Sequence, residues 1–159
     1  MKKYQKVAVG GTFDELHKGH KALIDTAFTV GEKVVIGLSS DSFVTKMGKP
    51  HITASYTERC SELQAYIDQK GWTGRAQIVT LDDAYGRTMA AEGLEALVVS
   101  KETEPIARKI NEKREKVCMK PLKIFTVDMV QAENCAPIST TRIRSGEIDR
   151  NGHLLKGSL

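Results

Sequence analysis

The residues best suited to chemistry follow the first predicted strand. Residues 10–14 read G-G-T-F-D, and residues 17–20 read H-K-G-H. The two glycines allow a ligand to approach the backbone closely, and Thr12 offers a hydroxyl and an N–H group. A helix that begins within residues 17–20 would add free N–H groups and a partial positive charge, and both suit an anion.

The two histidines of this segment are spaced to act on one ligand. His17 and His20 are three residues apart, so both can face one side of a helical turn. Gly19 between them has no side chain that could block a ligand. We therefore predict a polyphosphate pocket built from N–H groups and two imidazoles. A plain turn and a metal pair are the alternatives, and the metal pair is weak because no third ligand follows. A Walker loop is excluded, because its G-x-x-x-x-G-K-[ST] spacing is absent.

A second set of phosphate-binding groups lies near residue 140. Residues 138–144 read I-S-T-T-R-I-R, and Pro137 precedes them as it would precede a helix start. Ser139 can cap that helix, and hydroxyls, N–H groups and arginines there would bind phosphate oxygens. A capped surface helix with incidental arginines is the alternative interpretation.

The pattern of apolar residues predicts which elements position these segments. Five short apolar runs read as buried strands: residues 7–9, 34–36, 78–81, 97–99 and 124–127. Helical periodicity separates them, first after the H-K-G-H segment and then after Ser55, a predicted N-cap. Ile106, Ile110 and Val117 form a thinner apolar stripe. Charged residues surround this stripe, and we interpret them as the solvated face of a helix.

This alternation predicts an α/β fold, namely a single-domain, doubly wound, Rossmann-like sheet of five parallel strands. Ligands of such sheets bind beyond the carboxyl ends of the strands, where the strand order reverses. The segments that directly follow the strands should therefore carry the site.

Composition narrows the functional class without naming a reaction. The chain has 159 residues, 40% of them hydrophobic, and a net charge of +4. We predict one domain over residues 1–148 and a loosely held C-terminal tail over 149–159. The mild positive charge suits a small anion, and the 6% aromatic content argues against a nucleic-acid binder. We expect a cytoplasmic protein with no membrane span, because neither a signal-peptide core nor a long apolar stretch is present. Cys60, Cys118 and Cys135 are expected to be reduced packing residues.

The G-T-F-D and H-x-G-H segments, together with I-S-T-T-R-I-R, resemble the signatures of the nucleotidyltransferase superfamily related to class I aminoacyl-tRNA synthetases. That resemblance implies transfer of a nucleotidyl group from ATP or CTP to a phosphate or carboxylate, with release of pyrophosphate. It also implies that the two histidines stabilise charge on the pentacovalent phosphorus.

Further segments are similar to the archaeal and eukaryotic type of phosphopantetheine adenylyltransferases. They are V-S-K-E-T at residues 99–103, I-N-E-K-R at 110–114, D-A-Y-G at 83–86, and Lys46 followed by T-E-R at 57–59. The cytidylyltransferases of the superfamily carry R-x-x-G ahead of I-S-T-T, whereas residues 134–137 here read N-C-A-P. The bacterial phosphopantetheine enzymes place arginines in the loop after the fourth strand. This chain lacks those arginines.

The resemblance implies adenylyl transfer from ATP to 4′-phosphopantetheine, giving dephospho-coenzyme A and pyrophosphate, with Mg²⁺ held through the ATP phosphates and no protein metal ligand. The implied catalytic residues are His20, His17, Lys46 and Thr12. The implied ATP-binding residues are Gly10, Gly11, Thr12, Phe13, His17, Gly19, His20, Ser100, Glu102, Ser139, Thr140, Thr141, Arg142 and Arg144. The implied acceptor-binding residues are Thr12, Asp14, Lys46, Lys49 and Tyr85.

Two other functions remain open at this point. Another nucleotidyltransferase, such as a glycerol-phosphate cytidylyltransferase or an FAD synthetase, would use the same signatures. A non-catalytic nucleotide-binding module would keep the glycines but has no need of both histidines. The oligomeric state is also open, as is the choice between Lys46 and Lys49 as the active-site lysine.

Overall fold

A five-stranded, all-parallel sheet forms the centre of the fold, as predicted. In the computed structural model, residues 4–47, 53–82, 93–128, 143–144 and 148–153 are described. The strands are β1 (Tyr4–Gly11), β2 (Gly31–Ser39), β3 (Ala76–Leu81), β4 (Ala96–Ser100) and β5 (Lys123–Val127). The helices are α1 (Lys18–Val30), α2 (Asp41–Met47), α3 (Tyr56–Gln69) and α4 (Glu104–Lys116), with a short 3₁₀ turn at Thr73–Arg75.

The strand order is β3-β2-β1-β4-β5, so the order reverses at β1. The chain moves outward from β1 through β2 to β3 and then returns to β4 on the other side of β1. In a doubly wound sheet this reversal places a crevice between the carboxyl ends of β1 and β4. Residues 10–20 and 100–104 follow those two ends, as the sequence predicted for a ligand site.

Helices cover both faces of the sheet. On one face, α1 and α3 bury Ile24, Phe28, Leu63 and Ile67 against the strands. On the other face, α4 buries Ala107 and Ile110 against β4, together with Leu122. Two apolar layers of this kind confirm the predicted doubly wound packing.

The ends of α3 and α4 test two predictions about helix patterning. Ser55 is the N-cap of α3, and its hydroxyl accepts a hydrogen bond from the N–H of Glu58 at 3.3 Å. The apolar stripe of α4 is confirmed at Ile110 but is wrong at Val117, which is 61% exposed. Because α4 ends at Lys116, Val117 is the C-cap and leaves the helical face that packs on the sheet.

The short helix α2 was not predicted from the sequence. It spans only seven residues, so it holds too few apolar positions to show a helical period. Ser40 directly precedes α2 and caps its start, because the Ser40 hydroxyl accepts a hydrogen bond from the N–H of Phe43 at 3.1 Å. Lys46 lies in its last turn and is exposed to solvent.

Two of the three cysteines can be placed. Cys60 packs against the core formed by α1 and α3, as predicted. Cys118 is exposed and follows the end of α4 with a φ of 61°, so its assignment as a packing residue is wrong. Cys135 lies outside the described residues.

The start of the C-terminal segment is tied to the domain, which differs from the loosely held tail that we expected. Ile148 is fully buried, and Gly152 is buried with a φ of 86°. The N–H of Gly152 donates to the carbonyl of Asp149 at 3.0 Å, so the Asn-Gly pair closes a turn instead of loosening the chain. Residues 154–159 lie outside the described part.

Candidate active site

The candidate site lies at the carboxyl end of β1, where the two glycines play partly a packing role. A Cβ atom on Gly10 would lie 3.1 Å from Cδ1 of Leu81, and one on Gly37 of the neighbouring strand would lie 2.7 Å from it. The side chain of Leu81 therefore lies over two glycines of adjacent strands. The predicted close approach of a ligand does not account for Gly10 by itself.

His17 is the N-cap of α1, one residue before the helical turn in which we expected it. Its Nδ1 accepts from the N–H of Gly19 at 3.0 Å and from that of His20 at 3.4 Å. In return, Nδ1 of His20 accepts from the N–H of His17 at 3.3 Å. The two histidines thus form a reciprocal capping box, with imidazole nitrogens in place of the usual hydroxyl and carboxylate.

This capping changes the predicted source of phosphate-binding N–H groups. The first N–H of α1, on Lys18, donates to the carbonyl of Arg150 at 3.0 Å, and the N–H of Lys21 donates to the carbonyl of His17. With Gly19 and His20 bound to the His17 ring, the N–H groups of the first turn are occupied. The expectation that they are free donors for phosphate is therefore wrong.

Gly19 is required for the His17 ring. A Cβ atom at Gly19 would lie 2.9 Å from Cε1 and 3.1 Å from Nδ1 of that ring. Any other residue would therefore push the imidazole off the helix end. From the sequence we expected Gly19 to leave room for a ligand. In the structure it leaves room for the His17 ring.

The two imidazoles are stacked and share one protonation pattern. Their ring centroids lie 3.7 Å apart, with 19° between the ring planes. Because Nδ1 of each ring accepts from a backbone N–H, the proton of each neutral ring is on Nε2. The pKa of His17 is lowered to about 4, first by burial and then by the positive charge of Arg150, against the opposing effect of Asp14. At neutral pH His17 is therefore an uncharged N–H donor.

Asp14, an implied acceptor-binding residue, is paired with Arg144 of the second signature. Its side chain is 2% exposed, and its two oxygens accept from Nη2 and Nε of Arg144, both at 2.7 Å. One of these oxygens also accepts from the N–H of Ala54 at 3.2 Å. Asp14 therefore holds Arg144, and this bidentate pair ties the second signature to the first.

Arg144 retains exposure although it is paired. Its side chain is 25% exposed, and Nη2 also lies 3.3 Å from a carboxylate oxygen of Glu15. The hydrogen bond to Asp14 holds the pKa of Arg144 above its usual value, against the opposing effect of burial. Ile143 and Arg144 have helical backbone. The rest of the second signature, including Ser139, Thr140, Thr141 and Arg142, lies outside the described residues.

A buried arginine that sequence reasoning did not single out joins the elements around the site. Arg59 of α3 is fully buried, and its guanidinium donates to three carbonyls, those of Thr12 at 3.0 Å, Ser39 at 2.7 Å and Ala54 at 2.8 Å. Its Nη2 pairs with Asp41, the first residue of α2, at 3.0 Å. Arg59 therefore fixes Thr12 relative to α2, which carries Lys46.

The remaining predicted residues are distributed as follows. Phe13 is buried with a φ of 51°, and its ring packs edge-on against His20 at 5.3 Å between centroids. Ser100 ends β4 beside β1, and its hydroxyl lies 3.1 Å from that of Thr103 in a closed turn, while Glu102 is exposed. Lys49 and Tyr85 lie outside the described residues.

The structure thus brings Phe13, His17 and His20 into one cluster and pairs Asp14 with Arg144. Arg59 links Thr12 to Ala54, whose N–H donates to Asp14. Sequence reasoning missed Arg59, Glu15 and Arg150 as site residues. For Arg59 the T-E-R match was the only signal, since a buried arginine has the same sequence pattern as an exposed one.

Residues 8–146 match the model of the cytidylyltransferase-like family. The chain belongs to that family. The match spans both signature segments, the second half of β1 and the other four strands of the sheet.

Curated relatives place the chain more narrowly. It is 48% identical to the phosphopantetheine adenylyltransferase of Methanothermobacter thermautotrophicus over 98% of this chain and 92% of that protein. It is also 48% identical to the phosphopantetheine adenylyltransferase of Methanosarcina mazei, over 95% of this chain and 97% of the relative. The chain therefore belongs with the phosphopantetheine adenylyltransferases within the family.

A solved structure supports the fold. A protein of unknown function from Archaeoglobus fulgidus superimposes with a TM-score of 0.70 at 37% identity, covering 78% of this chain and 90% of that one. In the described part of the chain, no helix is long and apolar enough to cross a bilayer.

Proposed function

We propose that this chain transfers the adenylyl group of ATP to 4′-phosphopantetheine, giving dephospho-coenzyme A and pyrophosphate. The observation that carries the proposal is the stacked, mutually capped pair of His17 and His20 at the reversal point of the sheet. The 48% sequence identity to phosphopantetheine adenylyltransferases, which extends over nearly the whole chain, supports the choice of substrates.

The reaction requires no general base. The nucleophile is an oxygen of the acceptor phosphate, which is ionised at neutral pH. It attacks the α-phosphorus of ATP and forms a new P–O bond, while the bond to the bridging oxygen breaks and its electrons leave with pyrophosphate. Catalysis therefore depends on alignment of the two substrates and on stabilisation of negative charge in the transition state.

The imidazoles would supply that stabilisation as N–H donors, and His17 is uncharged at neutral pH. Nε2–H of His20 would contact the α-phosphate as its charge increases, and His17 would donate beside it. Their Nδ1 atoms are fixed by the capping box, so no reorganisation is needed when the ligand arrives. A contact of this kind contributes about 2–4 kcal/mol to the transition state.

The other implied groups hold the substrates. Thr12 would position the acceptor phosphate, and Lys46 would neutralise charge between the two substrates. Ser139, Thr140, Thr141 and Arg142 would bind the β- and γ-phosphates. Arg144 is paired with Asp14, so it would add a contact only through its exposed edge.

Magnesium fits this site as a phosphate-bound ion. In the loop before α1, the carboxylates of Asp14 and Glu15 are both paired with arginines, so they are not arranged as metal ligands. The ion would take its oxygens from ATP and water, as Mg²⁺ commonly does. When bound, it neutralises charge on the phosphates.

The test is a paired assay of pyrophosphate release. We expect release with ATP and 4′-phosphopantetheine and little with CTP and glycerol phosphate. The reverse preference would contradict the proposal and favour a cytidylyltransferase.

The same assay, applied to two variants, decides whether Lys46 or Lys49 is the active-site lysine. Lys46→Ala should lower kcat steeply while Lys49→Ala has a small effect. If Lys49→Ala is the more damaging change, the assignment of Lys46 is wrong.

A further inference from the structure

The segment at residues 148–153 contacts the first signature although it lies beyond the family match, which ends at residue 146. The carbonyl of Arg150 accepts the first N–H of α1, on Lys18, at 3.0 Å. This N–H group is adjacent to the two that the His17 ring binds. The C-terminal segment and His17 thus share the capping of a single helix end.

The Arg150 guanidinium joins two acidic side chains from different elements. Its Nε and Nη2 both lie 2.9 Å from one oxygen of Glu15, in the loop before α1. Its Nη1 contacts a carboxylate oxygen of Glu62, on α3. Arg150 therefore holds the β1–α1 loop against α3.

Glu15 also contacts the second signature. It has a left-handed backbone with a φ of 51°, and its carboxylate also lies 3.3 Å from Nη2 of Arg144. Arg144 in turn forms the bidentate pair with Asp14. Charges of alternating sign therefore run from Glu62 through Arg150, Glu15 and Arg144 to Asp14.

His17 lies within the field of this chain of charges. Arg150 disfavours the imidazolium form of His17, whereas Asp14 favours it. Among the described residues, the other charged or titratable groups around this end of α1 include Glu15 and Arg144, the stacked ring of His20, Lys18 of the first turn, and Glu58, Arg59 and Glu62 of α3. Arg150 and Arg144 are the cations that pair with Glu15, in the loop preceding His17.

We propose that Arg150 is a positioning residue: it fixes Glu15 and the first turn of α1, and through them the orientation of His17 and Arg144. It touches no substrate in this account. The kinetic part of the inference rests on the proposed adenylyl transfer, whereas the effect on His17 does not.

The test compares Arg150→Gln with the wild type by two readouts. The first is an NMR titration of the His17 ring in the free protein, with His17→Asn used to assign the signal. We expect the pKa of His17 to rise by roughly half a unit or more, because the nearby positive charge is gone. The second is steady-state kinetics, in which kcat should fall roughly tenfold, with a smaller change in KM, because the imidazoles are misplaced.

Two further variants separate positioning from simple anchoring of the segment. Arg150→Lys keeps the positive charge, so the pKa of His17 should stay low and kcat should partly recover. Arg108→Gln removes another exposed arginine–glutamate pair, on α4 at the opposite face of the sheet, and should leave both readouts unchanged. If Arg150→Gln does not fold, Glu62→Gln removes the outer contact of Arg150 but leaves its positive charge. In that variant kcat should fall less than in Arg150→Gln, and the pKa of His17 should stay low.

An unchanged His17 titration in a folded Arg150→Gln protein overturns the proposal, as does a kcat within about twofold of wild type or a loss of thermal stability alone. A shifted titration in a chain that fails to transfer adenylyl groups would support the positioning role and refute the substrate assignment instead.

Discussion

At the scale of single residues, each histidine of the H-K-G-H segment uses its two nitrogens for different tasks. Nδ1 of His17 and of His20 caps α1, and this leaves Nε2 with the proton as the donor. The residue types and spacing were readable from the sequence. The capping was not, because it depends on where the helix begins, and helix ends are poorly defined by periodicity.

The low pKa of His17 predicts a pH-dependent stability. Between about pH 6.5 and pH 4 the unfolded chain binds a proton that folded His17 does not, so the free energy of unfolding falls as the pH falls through this window. From pH 7 to pH 4.5 the loss attributable to His17 should be about 2–3 kcal/mol. Urea unfolding of the wild type and of His17→Asn at both pH values measures it. The variant keeps a capping side chain but cannot titrate, so it should lose that much less, and parallel losses would contradict the assignment.

His20→Gln separates capping from chemistry. Glutamine at the third position of a helix can still accept from the N-cap N–H group, so the thermal midpoint should stay near that of the wild type. Its amide does not place an N–H where Nε2 of the imidazole lies, so kcat should fall roughly 100-fold. A stable variant with near-normal turnover would show that His20 is only a cap.

At the scale of elements, the strands were predictable and the connections less so. All five strands were predicted, because a sheet buried on both faces leaves runs of apolar residues. Helix α2 was missed because seven residues carry too little pattern. The end of α4 was misjudged at Val117, since nothing in the stripe marks the point where the helix stops.

The close packing at the N-terminal end of α1 predicts the effect of substituting Gly19. Gly19→Ala should displace the His17 ring, whose Cε1 would lie 2.9 Å from the new Cβ, and so lower both stability and kcat. The expected loss of stability is about 1–3 kcal/mol, typical of overpacking. Gly74→Ala is the control, because a Cβ there meets nothing within 4 Å. Equal, small effects of the two substitutions in thermal melts and rate assays would refute the steric account.

At the scale of the whole molecule, buried polar contacts hold the elements in register around the reversal point. Arg59 joins Thr12, Ser39, Ala54 and Asp41, which come from three separate stretches of the chain. Sequence patterns predicted the sheet and the signatures but not this junction, because long-range polar contacts leave no local periodicity. The same reason explains why the pairing of Asp14 with Arg144 was not foreseen.

Removing this junction should affect the fold as a whole. Arg59→Met leaves one buried and two partly buried carbonyls without their donor and should lower the free energy of unfolding by about 3 kcal/mol. Arg108→Met, which breaks an exposed pair on α4, should cost less than about 1 kcal/mol. Denaturant unfolding of both variants tests the difference, and comparable values would mean that Arg59 does not organise the site.

The central claim is that the chain catalyses attack on the α-phosphorus of ATP by 4′-phosphopantetheine. The most direct measurement follows the label from ATP carrying ³²P at either the α or the γ position, with Mg²⁺ and 4′-phosphopantetheine present. We expect the α label to appear in dephospho-coenzyme A and the γ label in pyrophosphate, and both transfers to be strongly reduced in His20→Gln. Transfer of the γ label to the pantetheine product, or no transfer with this acceptor while CTP and glycerol phosphate react, would contradict it.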